Sequence, residues 1–325
     1  MNIGIIGGGV WGSALAKLLS NNKVTIFTRD SKVVDSINTH HFNQKLKYVV
    51  FNENVSAQTS LESLPDMQYI FIALPAQNIR EVLSVCEFQN KEQGIIIASK
   101  GIELKTGLLL SEVIKEIAPK LKISILSGPC FSDEVAQNLP TAVTFASESK
   151  QSFDTINTLI KNKNFRMYYS DDLIGCQIGG ALKNIYAIVS GITMGLNLGE
   201  NAKSAIITRS FVEIIRFGNS MGADKKTIFG LSGFGDLILT CNSIKSRNTN
   251  FGYLISTSSK PNFKEILKSQ EITEGYFTLA GVYKIAKEKK IDMPIMNSIY
   301  NILYNEYSIK DEINNLLERP ITDEF

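Results

Sequence analysis

Two patterns of apolar residues follow one another along the chain. Up to about Ser170, short apolar or β-branched runs alternate with amphipathic stretches: Asn2 to Ile6, Val24 to Phe27, Tyr69 to Leu74, Ile95 to Ala98, Ile123 to Leu126, Ala142 to Phe145 and Phe165 to Tyr169. Runs this short, separated by segments of helical length, predict βαβ units and a mostly parallel, doubly wound sheet. After Asp172 the apolar spacing changes to three and four residues, as in Ile178 to Leu196 and Ala202 to Arg216, and no strand is predicted there. The expected architecture is an α/β N-terminal domain over residues 1–172 and an all-α C-terminal domain over residues 173–325. No tandem repeat or low-complexity linker separates the halves. The join should therefore be a continuous helix or tight turn, with the ligand between the domains.

A length of 325 residues suits two domains that each bury a core, and 44% apolar with 20% charged residues is the balance of a soluble globular protein. Lys and Arg number 34 against 32 Asp and Glu, and no basic run reaches five residues. That near-neutral balance argues against nucleic acid or an anionic membrane as the main partner. Cys86, Cys130, Cys176 and Cys241 are too widely scattered for a zinc site or a disulfide framework, and read as free thiols in a reducing compartment. The two histidines, His40 and His41, are adjacent in a polar stretch. Histidine-based acid/base chemistry and metal binding thus lack raw material, and no metal is expected. Met1 and Asn2 run directly into an apolar segment without a basic leader, and no later apolar run reaches about 18 residues without a charge. The expectation is a cytoplasmic protein that is not integral to a membrane.

Gly7-Gly8-Gly9-Val10-Trp11-Gly12 matches G-x-G-x-x-G between the first strand and an amphipathic helix bearing Leu15, Leu18 and Leu19. In a Rossmann-like domain Gly7 permits the tight turn, Gly9 lets the backbone approach a pyrophosphate, and Gly12 allows close helix–strand packing. The helix N-terminus then offers amides and a positive dipole to the anion. The competing reading is a glycine-rich turn without a ligand. After the second strand, Arg29 followed by Asp30 tilts the cofactor slightly toward NADPH and leaves NADH open. An exposed charge after the strand is the plainer alternative.

In the helical half, Lys183 lies within Ile178-Gly-Gly-Ala-Leu-Lys-Asn-Ile-Tyr, where a buried charge is costly. Helical spacing places Gly179, Gly180, Ala187 and Ser190 beside it. The small neighbours leave room for a ligand, and desolvation would bring the lysine pKa toward a useful range for proton transfer. Asn184 could orient a hydroxyl or the lysine, although close helix packing with a snorkelling lysine would give the same pattern. A glycine-rich stretch from Gly230 delivers Asp236, which could hold Lys183 charged or bind a substrate hydroxyl, and its Ser232 lacks the second glycine of a hydrolase elbow because Phe234 stands there. Ser246-Arg247-Asn248-Thr249 reads as a helix cap able to seat a phosphate. Lys100-Gly101 and Ser127-Gly128-Pro129-Cys130 each follow a strand, at the edge where doubly wound sheets bind ligands.

Taken in order, the turn at Gly7–Gly12, Ser99-Lys100-Gly101, Ser127-Gly128-Pro129, Leu139-Pro140-Thr141-Ala142, Gly179-Gly180-Ala181-x-Lys183-Asn184, Asn201-Ala202-Lys203, Gly235-Asp236-Leu237, Ser246-Arg247-Asn248 and Glu274-Gly275 resemble bacterial NAD(P)-dependent glycerol-3-phosphate dehydrogenase over nearly the whole chain. The resemblance implies reversible hydride transfer between a nicotinamide and C2 of glycerol 3-phosphate, chiefly reducing dihydroxyacetone phosphate to feed glycerophospholipid synthesis. It makes Lys183 the general acid/base, completed by Asp236 and Lys100, and places Lys100, Gly128, Cys130, Asn184, Ser246, Arg247 and Asn248 at the substrate. It places Gly7, Gly9, Val10, Trp11, Gly12, Arg29, Lys100, Ser132, Arg247, Ile272 and Glu274 at NAD(P)H.

Three positions depart from the family pattern: Cys130 where Ser, Thr or Asn is usual, Ser132 where Ala is common, and Val10 where Ser is common. Cys130 exchanges a good hydrogen-bond donor for a weak one, or introduces an oxidisable thiol. The rival readings are another two-domain β-hydroxy-acid dehydrogenase and a dinucleotide sensor without turnover. The partner is a small phosphorylated substrate, and a homodimer is the candidate assembly.

Overall fold

A computed structural model describes residues 1–46, 48–88, 93–258, 263–269 and 273–320. Strands β1 (Asn2–Ile6), β2 (Lys23–Phe27), β3 (Val55–Gln58), β4 (Tyr69–Ile72), β5 (Gly94–Ile97), β6 (Lys122–Ser127), β7 (Thr141–Ser147) and β8 (Phe165–Ser170) form one sheet in the order β3-β2-β1-β4-β5-β6-β7-β8. Every neighbouring pair is parallel except β6–β7. Chain direction leaves β1 toward β2 on one side and β4 on the other, which opens a crevice at the carboxyl ends of these strands.

The central strands β1, β4 and β5 are apolar along nearly their whole length because both faces of the sheet are covered there. Ile3 and Ile5, with Phe71 and Ile96, pack under the helix Val10–Leu18, whereas Ile6, Ile70, Ile72, Ile95 and Ile97 pack on the opposite face. The sheet has one strand more than the periodicity predicts. β3, Val55-Ser-Ala-Gln, is a four-residue edge strand with Ser56 exposed. A short edge has little apolar surface to bury and therefore leaves a weak pattern.

After β8 the chain enters a 23-residue helix, Leu173–Gly195, in which every residue from Gly175 to Thr193 is buried. Asp172 caps it by accepting from Gly175 N–H at 2.8 Å. Among the described residues it is the one helix whose length and composition would allow it to cross a membrane, and here 89% of its apolar window is buried inside the protein. This central helix is clad by helices Gly199–Ser220, Asp236–Cys241, Arg247–Thr257, Glu274–Glu288 and Pro294–Tyr304. Its first half also touches the sheet domain, where Gln177 accepts from Ser111 N–H and donates to Ser111 Oγ, both at 2.9 Å. No strand follows β8 among the described residues.

The central helix and the helix Arg247–Thr257 meet backbone to backbone. A Cβ at Gly191 would collide with Thr249 O, and one at Gly252 would collide with Ile188 O. Gly191→Ala is therefore expected to cost about 2–3 kcal/mol through overpacking and to lower the thermal unfolding midpoint by several degrees, read by circular dichroism. An unchanged midpoint would show that this contact can relax freely.

Candidate active site

The loops after β5 and β6 face the central helix across the domain seam. Lys183 is on that helix, Lys100 follows β5, and Asp236 begins the helix Asp236–Cys241 after a π-helical turn, Leu231–Gly235. Asp236 is fully buried, and its two oxygens are divided between the lysines. Lys183 Nζ lies 2.5 Å from Oδ1, and Lys100 Nζ lies 2.5 Å from Oδ2. Lys100 also donates to Gly128 O at 3.1 Å. Lys183 donates to Thr240 Oγ1 at 2.9 Å, and that hydroxyl donates to Asp236 O at 2.6 Å.

The cluster carries two cations against one carboxylate, so one ammonium is held at a cost. Burial lowers the Lys183 pKa to about 8, the nearby Lys100 charge reinforcing it and the attraction of Asp236 partly opposing it. Burial pulls Lys100 the same way, but the Asp236 carboxylate outweighs it and Lys100 keeps its proton more firmly than a free lysine. The cluster thus holds one fixed cation and one exchangeable proton. Cys130 donates through Sγ to Gly128 O at 3.3 Å, and burial raises its pKa despite the Lys100 charge. A raised thiol pKa disfavours the thiolate, the form that oxidises most readily.

A second group adjoins the first. Ser246 caps the helix Arg247–Thr257, accepting from Thr249 N–H at 3.3 Å. Asn248 Nδ2 donates to Asn184 Oδ1 at 3.0 Å, and Gly275 N–H donates to Asn248 Oδ1 at 2.9 Å. Glu274, at the start of its helix, reaches across the seam to accept from Ala76 N–H at 3.3 Å. Burial pushes its pKa up to about 7, opposed by that hydrogen bond and by the Arg247 charge. Glu274 Oε2 and Ser127 Oγ are buried without a hydrogen-bond partner in the structure, as expected of groups that meet a ligand.

The glycine turn lies at the same sheet edge. Gly7 has φ +124°, and Gly9 precedes the helix Val10–Leu18 without any side-chain cap, so that the helix N-terminus keeps amides available to an anion. A Cβ at Gly9 would meet nothing within 4 Å, whereas one at Gly12 would collide with Gly7 O. Gly12 is thus required by the fold, and the space over Gly9 is a cradle that fits a dinucleotide pyrophosphate. Trp11 Nε1 donates to Ala98 O at 3.0 Å, tying the turn to the loop that carries Lys100. Arg29 is exposed two residues past β2, and Ser132 opens the helix Ser132–Ala136. Asp30 caps the helix Ser31–His40 and pairs with Lys45 at 3.3 Å. Ile272 lies outside the described residues. Thr240 was not singled out by sequence reasoning, although its position one turn after Asp236 was a usable signal.

A family model for the N-terminus of NAD-dependent glycerol-3-phosphate dehydrogenase matches residues 2–153, and one for its C-terminus matches residues 172–314. The chain belongs to the NAD-dependent glycerol-3-phosphate dehydrogenases. A relative from Zymomonas mobilis, named glycerol-3-phosphate dehydrogenase (NAD(P)+), is 38% identical over 327 residues, covering 100% of this chain and 95% of its own. A relative of the same name from a Thermotoga strain is 40% identical, covering 100% of this chain and 99% of its own. The crystal structure of glycerol-3-phosphate dehydrogenase from Coxiella burnetii superposes with a TM-score of 0.92 at 33% identity, covering 98% of this chain and 99% of that one. Membership in the glycerol-3-phosphate dehydrogenases makes the protein an NAD(P)-dependent oxidoreductase, and the hydroxy-acid dehydrogenase and sensor readings give way to it.

In this dehydrogenase, Gly9→Ala separates the cradle from the fold. The methyl has room in the protein alone, so thermal stability should stay within about a degree while the Kd for NADH rises at least about tenfold, measured by nicotinamide fluorescence. Unaltered NADH binding would remove Gly9 from the pyrophosphate site.

Proposed function

We propose that this chain reduces dihydroxyacetone phosphate to sn-glycerol 3-phosphate, reversibly, with Lys183 as the general acid/base. The observation that carries this reading is the division of the buried Asp236 carboxylate between Lys183 and Lys100. Gly7, Gly9, Val10, Trp11 and Gly12 would hold the NAD(P)H pyrophosphate side, with Arg29, Lys100, Ser132, Arg247, Ile272 and Glu274 completing the site. When bound, this cofactor supplies the hydride to the substrate carbonyl carbon.

Lys183 hydrogen-bonds the carbonyl oxygen and, as negative charge develops there, gives it a proton from Nζ. Lys100 remains charged and stabilises the same oxygen electrostatically. Asp236 holds both ammoniums in place and does not itself transfer the proton. Thr240 fixes the direction of the Lys183 ammonium by accepting one of its hydrogens. In the reverse reaction neutral Lys183 removes the proton from the C2 hydroxyl. Arg247, at the capped helix start, takes the phosphate with Ser246, Asn248 and Asn184, its fork geometry suiting two oxygens at once. Gly128 and Cys130 line the side of Lys100.

Asp30 is engaged as a helix cap while Arg29 is exposed, and this supports a slight preference for NADPH, whose 2′-phosphate an arginine can meet. The four free cysteines support a reducing, cytoplasmic setting. A role in supplying glycerophospholipid synthesis and assembly as a homodimer belong to the same reading.

The deciding assay measures NADH and NADPH oxidation with dihydroxyacetone phosphate, using unphosphorylated dihydroxyacetone as control. Rapid oxidation only with the phosphate ester is expected, and equal rates with both ketones would exclude the proposed substrate. Lys183→Ala should lower kcat by about 10²–10⁴-fold with NADH binding retained, since proton transfer contributes on that scale. For the wild type, reduction needs protonated Lys183, so its kcat/KM should be level below pH 8 and fall above it, while oxidation rises toward pH 8 and then levels. A reductive profile that is flat from pH 7 to 9.5 would reject Lys183 as the acid. Arg247→Ala should raise KM for the phosphorylated ketone by about two orders of magnitude or more, the scale of a lost charge-assisted pair, and an unchanged KM would remove Arg247 from the phosphate.

A further inference from the structure

Three helices meet at a row of buried amides. Gly275 N–H, in the first turn of the helix Glu274–Glu288, donates to Asn248 Oδ1 at 2.9 Å, and Asn248 Nδ2 donates to Asn184 Oδ1 at 3.0 Å. Asn184 and Asn248 are 6% and 7% exposed. The row has a fixed direction, because a backbone amide can only donate. Gly275 N–H settles which end of the Asn248 amide is oxygen, and this turns the Asn248 NH2 toward Asn184. Asn184 then has its oxygen taken and presents its NH2. A side-chain amide is ordinarily ambiguous between its two ends, yet here one N–H orients two of them. A Cβ at residue 275 would stand 2.8 Å from Asn248 Oδ1 and collide with Asn184 O, so glycine is required for the row to close.

The two ends of the row adjoin residues assigned above to different ligands. Glu274, beside Gly275, is buried against Ala76 and has an unpartnered Oε2, while Asn184 follows Lys183 on the central helix. We infer that the row Gly275–Asn248–Asn184 couples the two binding events: Asn248 is a positioning residue through which occupancy of the cofactor site makes the Asn184 NH2 a better donor to the substrate phosphate. The inference rests on the proposed assignment of Glu274 to the cofactor and Asn184 to the substrate.

Engagement of Glu274 restrains the first turn of its helix, and with it Gly275 N–H. Two hydrogen bonds pass that restraint to Asn184, which then has less freedom to lose when it meets an anion. Linkage makes the effect reciprocal, so the substrate must tighten the cofactor by the same factor. A residue that only touched phosphate would behave differently. Its removal would weaken substrate binding equally with and without cofactor, whereas removal of a coupling residue reduces the ratio between the two.

The test uses sn-glycerol 3-phosphate with NADH, a pair that cannot react because both partners are reduced. Kd for sn-glycerol 3-phosphate is measured by calorimetry with and without saturating NADH, in the wild type and in Asn248→Ala and Asn248→Asp. The wild type should show NADH tightening sn-glycerol 3-phosphate by about tenfold, within the usual range of coupling factors. Both variants should reduce that factor to below about twofold. Asn248→Asp keeps an acceptor for Gly275 N–H, and so the packing, but cannot donate to Asn184 as a carboxylate. Its added charge acts on both constants and largely cancels in their ratio. A coupling factor retained while both constants weaken together would make Asn248 an ordinary phosphate ligand and overturn the inference. A wild-type factor of one would overturn it as well. Failure of wild-type protein to bind sn-glycerol 3-phosphate in either state would instead reject the underlying site assignment.

Discussion

The structure depends on one carboxylate shared by two lysines. Asp236 is fully buried, and each of its oxygens faces a lysine ammonium at 2.5 Å. Removing three charges from water is expensive, and a buried pair alone often does little more than offset its own desolvation. Here the unequal count has a use. A neutral pair would hold both protons fast, whereas two cations on one anion oblige the cluster to hold one proton weakly. Lys183, the more enclosed of the two ammoniums, is the one whose pKa falls, to about 8, while Lys100 retains its charge. The same geometry therefore defines a fixed positive charge and a mobile proton 53 residues of chain apart from their common anion in one case and 136 in the other.

Bringing those three residues together explains much of the architecture. Lys100 leaves the carboxyl edge of the sheet, Lys183 comes from a helix that is buried along nearly its whole length, and Asp236 heads a short helix after a π-helical turn. The central helix can approach this closely because glycine occupies its contacts with the helix Arg247–Thr257. That contact also sets the place of Ser246, Arg247 and Asn248, which lie at the start of the second helix. Packing thus determines where Ser246, Arg247 and Asn248 stand relative to Lys183, and a shift between the helices would move one group away from the other.

Much of this was legible in the sequence because local rules govern it. The strand–turn–helix setting of Gly7 to Gly12 and the change from short apolar runs to helical spacing both follow from short-range geometry. β3 escaped because Val55-Ser-Ala-Gln has too little apolar surface to show a period. A contact between Asp236 and Lys183 was an expectation and the family resemblance grouped Lys100 with them, but nothing local indicates that the two lysines divide the two oxygens of one carboxylate. Thr240 carries only the weak signal of standing one turn after Asp236. The orientation of Asn184 is the least legible feature, since it is decided by a backbone N–H at residue 275 that has no side chain to announce it.

The proposed choice of a lysine as proton donor fits the electrostatics of carbonyl reduction. Hydride arrival places a full negative charge on the oxygen, and the group that stabilises it should already be cationic at neutral pH. A histidine with its usual pKa near 6.5 is mostly neutral there, and the chain's two histidines lie at the end of the helix Ser31–His40. An ordinary exposed lysine is cationic but releases its proton reluctantly, because its pKa is near 10.4. Burial beside a second ammonium moves Lys183 between these limits, so that it is protonated at neutral pH and still acidic enough to exchange in both directions. Thr240 adds direction, because its hydroxyl takes one ammonium hydrogen and Asp236 takes another. An ammonium has three, and in the proposed reaction the third is directed to the substrate oxygen.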